Sequence, residues 1–296
     1  MVLEKITKLI FPSIIYKKIK VVYRKLRKRF HTKLTEKELV KILTEDLGIK
    51  LGSVVFIHSS IDNLFLDFEP EKVLDILLNI VGEEGTLLFP CNQIKERAED
   101  YLNRGEIFNV KRTISKMGLL SGLAILNKKS IRSLHPTNSV VAIGKYAKEL
   151  TEEHPDSIYP CGEKSPYYKI IHFNGIIVGL GVNTNSLTFT HVIEDLMKDK
   201  FPVQTRRRKI FQAAVIDKEG KNRIVETLVA HPNTGLRNVS GFIKKNIPKN
   251  ICIDFKRKGI DFFKADSLSL LEKMKQLANN NITMYSKKAY TIKDKY

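Results

Sequence analysis

Short apolar runs and helical periodicities alternate along most of this chain. Residues 34–46 place Leu39, Ile42 and Leu43 at helical spacing behind Thr35 and Glu38, a T-x-x-E capping box, and so predict a helix. Residues 53–57 (SVVFI) form an unbroken apolar run, the mark of a buried strand. Residues 70–81 have Pro near their start and Gly82 just past their end, which predicts a helix. Residues 85–89 (GTLLF) predict a second strand, stopped by Pro90. The stretch 91–114 is polar and weakly periodic, a long functional loop with room for one short helix. Further helices are expected over 115–127, 145–153, 190–198, 236–246 and 267–278. Further strands are expected over 140–143, 176–180 (IIVGL), 208–217 and 224–229, the last two joined by a turn at 218–222 with an E-G signal. Residues 251–264 hold strand-like stretches around a basic turn. Strands alternating with helices specify an α/β fold, a mixed sheet flanked by helices. With no internal repeat and no soft linker, the expected organisation is one domain over 34–296 behind a short arm, 1–33.

The arm changes the picture through its charge. The chain carries a net +19, and eleven of its Lys and Arg residues fall within 1–33 against the single acid Glu4. From Ser13 onward Ile15, Ile19, Val22, Leu26 and Phe30 share one helical face, while Lys17, Lys18, Arg24, Lys25, Arg27 and Lys28 fall mainly on others. A basic amphipathic N-terminal helix over residues 13–30 has the pattern of an anchor on anionic membrane lipid. The same pattern serves a solvated helix packed on the domain or on a second copy, so a homo-oligomer stays open. No nucleic-acid motif accompanies the charge, and no nucleic-acid partner is expected. The broken apolar run excludes a signal peptide. Three widely separated Cys in 296 residues make no disulfide framework, which fits a reducing cytoplasm with the arm resting on the inner membrane face. Without C-x-x-C or H-E-x-x-H spacing, no metal is expected.

Four clusters carry candidate chemistry. His58, Ser59 and Ser60 follow the first strand, where α/β sheets bind ligands, though the serines also suit a polar strand end. Arg112, Ser115, Met117 and Gly118 stand at the start of an expected helix, as an anion site or as ordinary capping. Arg132, Ser133 and His135 precede Pro136 in what an ordinary polar loop would also resemble. His191 and Glu194 lie three apart on an expected helix and so share a face. A carboxylate that fixes the tautomer of a His and favours its imidazolium makes a general base. Of the other histidines, His172 reads as core, and His31, His154 and His231 as surface or loop. Cys161 offers a rival, thioester-forming nucleophile, but nothing around it forms a nucleophile signature.

In order and spacing these clusters resemble the aminoglycoside 3-N-acetyltransferase family, the antibiotic acetyltransferases. The matching segments are VVFIHSSI at 54–61, GEEGTLLFP at 82–90, SKMGLLSGLAI at 115–125, IRSLHPTNSVVAIG at 131–144, CGEKSPYYKI at 161–170 and GIIVGLGVNTNSLTFTHVIED at 175–195. The resemblance runs from about 36 to about 280. It implies an antibiotic N-acetyltransferase-like α/β fold distinct from the GNAT acetyltransferases, acetyl-CoA as donor, and direct transfer to an amine without a metal. It implies His191 as general base with Glu194 as its partner. Ser59, Ser60, Arg112, Ser115, Met117, Gly118, Ser133 and His135 would then surround the coenzyme and reaction centre. Leu119-Leu120-Ser121 stand where the family often carries a polar residue, and the basic arm is outside the family pattern.

Charge bears on the acceptor. Aminoglycosides are polycations, and a site for them should be acidic. This chain is basic even without its arm, which favours an amino sugar of glycan biosynthesis over a drug. The expected function is therefore acetyl-CoA-dependent N-acetylation of an amino sugar. The rival from another class is a non-catalytic membrane- or nucleic-acid-binding protein with an acetyltransferase-like body.

Overall fold

The computed structural model describes residues 31–292, so the basic helix expected over 13–30 lies outside the described residues. The capping box forms as expected. The Thr35 side chain accepts from the Glu38 N–H, and the Glu38 carboxylate accepts from the Thr35 N–H, at the start of α1 (Glu36–Lys41). The helix continues as a wider π turn through Ile42–Asp46.

The strands are β1 (Val54–Ser59), β2 (Thr86–Pro90), β3 (Phe108–Asn109), β4 (Ile131–Arg132), β5 (Val140–Gly144), β6 (Ile176–Leu180), β7 (Arg206–Ile216), β8 (Asn222–Ala230), β9 (Cys252–Arg257) and β10 (Ile260–Asp266). Seven form one sheet in the order β4-β5-β2-β1-β6-β10-β9. Its centre is parallel, with β1 between β2 and β6, and its flanks are antiparallel, with β5 on β2 and β10 on β6. The remaining helices are α2 (Lys72–Val81), α3 (Ala98–Asn103), α4 (Leu119–Leu126), α5 (Ala147–Thr151), α6 (Pro166–Lys169), α7 (Thr190–Met197), α8 (Val239–Asn246) and α9 (Ser267–Asn279).

Alternation along each strand sorts its side chains to two faces. Val54 and Phe56 of β1 join a core with residues of α5 to α9, while Val55 and Ile57 join a second core with residues of α1, α2 and α4. The central strands are thus apolar on both sides, which explains their continuous apolar runs. No helix among the described residues is long and apolar enough to cross a membrane.

Three departures from the sequence reading matter for the site. The first strand runs on through His58 and Ser59, because both pair with β6. The helix expected over 115–127 begins only at Leu119. Gly118, at φ 100°, turns the chain there, and the Ser115 hydroxyl caps the Met117 N–H in a local turn instead of opening a helix. The long hairpin β7–β8 does not join the main sheet. It pairs with β3 in a separate three-stranded sheet, on which α3 packs Tyr101 and Leu102 against Phe211, Ala213 and Val229.

Candidate active site

The parallel strands β1 and β6 end side by side, and their exits place two of the clusters. Ser60 donates its N–H to the Leu180 carbonyl at 2.9 Å, and Asn63 donates to the Gly181 carbonyl at 3.0 Å. Gly181 sits at φ 71°, and a Cβ there would lie 2.5 Å from the Ser60 carbonyl, so only glycine permits this approach. Gly118 comes to the same edge: a Cβ on it would lie 4.0 Å from the Ser59 carbonyl, with nothing else nearer. Ser59, Ser60 and Gly118 are therefore brought together.

Arg112, Ser115 and Met117 lie on the loop leading to Gly118, with Arg112 exposed. Arg132 holds that loop from beneath. It is buried and donates to the carbonyls of Thr113 at 2.5 Å and Cys91 at 2.6 Å, with its guanidinium 4.8 Å from the centre of the Phe108 ring.

Ser133 and His135 are both buried between β4 and β5. The Ser133 hydroxyl accepts from the Val140 N–H at 2.9 Å and meets His154 Nδ1 at 2.8 Å. The other ring nitrogen of His154 faces the Pro160 carbonyl at 2.9 Å, so it carries the hydrogen and the serine is the donor to Nδ1. His135 stacks on His154 with ring centres 4.5 Å apart. His154 and His231, read from the sequence as surface or loop, are buried, and His172, read as core, is exposed. Their flanking residues misled in each case. Ile170–Phe173 forms a tight 3-10 turn that aims Ile170 and Ile171 inward and His172 out.

The fourth cluster is the best formed. β6 leads through residues 181–189 into α7, where His191 and Glu194 share a face. His191 Nδ1 meets a Glu194 carboxylate oxygen at 2.7 Å. The other oxygen accepts from the Tyr285 hydroxyl at 2.6 Å. Burial pushes the Glu194 carboxyl up, but His191, Arg206 and Tyr285 outweigh it and hold the group below the ordinary carboxylate range. Burial, and then the Glu194 charge, push the Tyr285 phenol well up, so it remains a donor. Glu194 is thus an ionised acceptor that places the hydrogen of a neutral His191 on Nδ1. Its Nε2 lone pair is then free to accept, and it does so from the Arg237 guanidinium. Arg237 and Tyr285 are themselves paired in an isolated antiparallel bridge.

Asp195, next in the helix, has a separate task. Arg206 donates to both of its oxygens, at 2.6 and 2.7 Å, and the Cys161 N–H donates to one of them at 2.7 Å. Two adjacent buried carboxylates are tolerable because each has its own donors. Replacing Asp195 by Ala would leave the Arg206 charge buried and unpaired. We expect a loss of about 3–5 kcal/mol in folding stability, measured by urea unfolding. A loss under about 1 kcal/mol would show that the pair is dispensable.

Tyr285, Arg237 and Arg206 were not singled out from sequence, and Arg132 was named in a candidate cluster without its role as a clamp on carbonyls. Their partners are 91 (Tyr285–Glu194), 46 (Arg237–His191) and 11 (Arg206–Asp195) residues away, and up to 41 residues separate Arg132 from the carbonyls it holds, so no local spacing reports them. Cys161 is buried, and burial raises its thiol far above the ordinary value, which leaves it a poor nucleophile.

Fold and site together define a mixed α/β protein with a hydrogen-bonded His–Glu pair on the helix that follows a central parallel strand. The chain belongs to the aminoglycoside 3-N-acetyltransferase family, whose model matches residues 56–268. It is 29% identical over 173 residues to aminoglycoside N(3)-acetyltransferase III of a Salmonella species, 54% of this chain and 60% of that protein. The chain thus spans 60% of the length of that relative. Two solved structures share the fold. AAC-IIIb in binary complex with CoASH superimposes with a TM-score of 0.69 at 17% identity, over 86% of this chain and 100% of the other. AAC-VIa bound to sisomicin does so with a TM-score of 0.69 at 19% identity, over 85% and 100%.

Proposed function

We propose that the protein is an acetyl-CoA-dependent N-acetyltransferase acting on an amino group of an amino sugar, with His191 as the general base. The observation that carries this reading is the Tyr285–Glu194–His191 chain, which fixes the tautomer and leaves Nε2 as the proton acceptor. An amine must shed a proton as it attacks a carbonyl, and a positioned imidazole receives it. The donor supplies a thioester acyl group. Its carbon bonds to the amine nitrogen, its C–S bond breaks, and the proton passes through His191 Nε2 to the departing thiolate, so no covalent enzyme intermediate is needed.

The meeting of Ser59, Ser60 and Gly118 at an open strand edge supports a binding place for the donor. A side chain at Gly118 would narrow it, and Arg112, exposed on the loop that leads to Gly118, suits the anionic end of the coenzyme. By name the relatives act on aminoglycosides. In this chain the net +19 favours a less cationic acceptor, such as an amino sugar of glycan biosynthesis. The basic residues 1–33 fit a segment that holds the enzyme at an anionic inner membrane face.

The test is release of free CoA thiol from acetyl-CoA in the presence of a panel of amines: aminoglycosides, amino-sugar nucleotides and simple hexosamines. Amine-dependent release is expected, and it should persist in Cys161→Ala, because the buried thiol takes no part. Silence across the panel with no acetyl-CoA bound would remove the enzymatic reading. Loss of activity in a folded Cys161→Ala variant would restore the thioester route.

A further inference from the structure

Arg237 stands in an unusual relation to the base. Its guanidinium is half-buried, and its one hydrogen-bond partner among the described residues is His191 Nε2, the atom that must take the proton. No carboxylate among the described residues pairs with it. The nearest candidate, Glu194, has both oxygens engaged by His191 and Tyr285. A guanidinium offers five N–H donors in a planar fork, and a single neutral nitrogen satisfies few of them. While it stays there the base is capped.

The surroundings continue this theme. Next to Arg237, from Asn238 and Tyr285 outward, α8 and residues 281–290 enclose an open groove of about 730 Å³. Lys245 and Lys287 line it, and no Asp or Glu does among the described residues. An acceptor lodged here meets Lys245 and Lys287 and no carboxylate of the lining, one residue along the chain from Arg237.

We propose that Arg237 selects an acceptor bearing an anionic group, a phosphate or carboxylate near the amine, and that binding of this group draws the guanidinium off His191 and uncaps the base. This rests on the acetyltransferase reading of the same site and names its substrate class. An oxyanion takes two parallel bonds from the guanidinium fork and adds charge attraction, where the imidazole offers one neutral lone pair, so the anion displaces the imidazole. The coenzyme also carries phosphates, but its long uncharged pantetheine arm separates them from the thioester, and hence from a group at the base. A polycationic acceptor is repelled by Arg237 and leaves the base capped.

The experiment compares glucosamine, glucosamine 6-phosphate and sisomicin as acceptors for the full chain, by thiol release. The phosphorylated sugar should exceed glucosamine by about 30-fold or more in kcat/KM, mostly through KM, with sisomicin the poorest. In Arg237→Gln that preference should collapse, with glucosamine turned over faster than before because the base is no longer capped. Arg237→Lys should keep part of the preference, as a point charge without the fork. Thermal melting establishes that each variant is folded. A wild type that favours sisomicin, or an Arg237→Gln variant that slows all acceptors by one factor, overturns the inference while leaving the acetyltransferase intact. Silence with every amine and no binding of acetyl-CoA overturns the underlying reading instead. A readout free of turnover separates the two further. Glucosamine 6-phosphate should shift the ¹⁵N resonance of His191 Nε2 in the wild type and not in Arg237→Gln, and no shift in the wild type overturns the uncapping step.

Discussion

Replacing His191 by Ala should lower kcat for the best acceptor by about two to four orders of magnitude, while the KM for acetyl-CoA stays within about threefold. The split follows from the geometry. Among the described residues the His191 ring bonds to Glu194 and Arg237, neither of which belongs to the place proposed for the donor, so its loss should remove proton transfer and spare coenzyme binding. The variant leaves one buried Glu194 oxygen without its partner, while Tyr285 keeps the other. A cost of about 1–3 kcal/mol in stability is therefore expected alongside, small enough to keep the fold. Glu194→Gln should slow turnover less, because the imidazole and its Nε2 remain but the tautomer is no longer imposed. Near-normal turnover in a folded His191→Ala protein would refute the assignment.

Acid should unfold the protein earlier than its carboxylates alone would. Burial holds His58 and His154 down to about 4 from the ordinary 6.5. His135 is also lowered, by burial first and then by His154 and Arg206. The sign follows from proton counting. Below pH 6.5 the unfolded chain binds protons at these histidines and the native chain does not, so stability falls as pH drops from 6.5 towards 4. Each of the two histidines with a value near 4 contributes about 3 kcal/mol across that window. Together they could consume much of a typical domain's stability, about 5–15 kcal/mol. Urea unfolding at pH 7.5, 6.0 and 5.0 should show a steep loss, and His58→Leu should flatten it by removing one titration. His58 suits that test because its buried Nε2 has no hydrogen-bond partner and its ring lies against Phe56 and Phe263. A level profile down to pH 5 would mean that these rings are protonated in the native state.

What was legible in the sequence was whatever local spacing encodes. The apolar runs at 53–57 and 176–180 became adjacent parallel strands, and the T-x-x-E box became the first helix's cap. His191 and Glu194 were readable as a pair because helical geometry alone brings them together. The start of α4 was misjudged because Ser115 caps a turn as readily as a helix, and the left-handed Gly118 that breaks the two apart has no periodic signature. The separate sheet was invisible because strand patterns do not name their partners. β3 is two residues long and pairs with β7 from over 90 residues away. His154 reads as a surface residue between Glu153 and Pro155, and only the fold puts the β4–β5 hairpin over it. Tyr285 and Arg237 reach the site through a bridge between two otherwise irregular segments, which no motif marks.

That bridge has an evolutionary corollary. The His191–Glu194 pair lies within four consecutive residues of one helix, whereas Arg237 and Tyr285, which bond to it, come from far along the chain. Exposed positions beside these groups, such as Lys245, Asn281 and Lys287, can therefore change without touching the pair. A library diversified only at such positions, leaving Tyr285 fixed, is the economical way to vary the surroundings of the pair while keeping the pair itself.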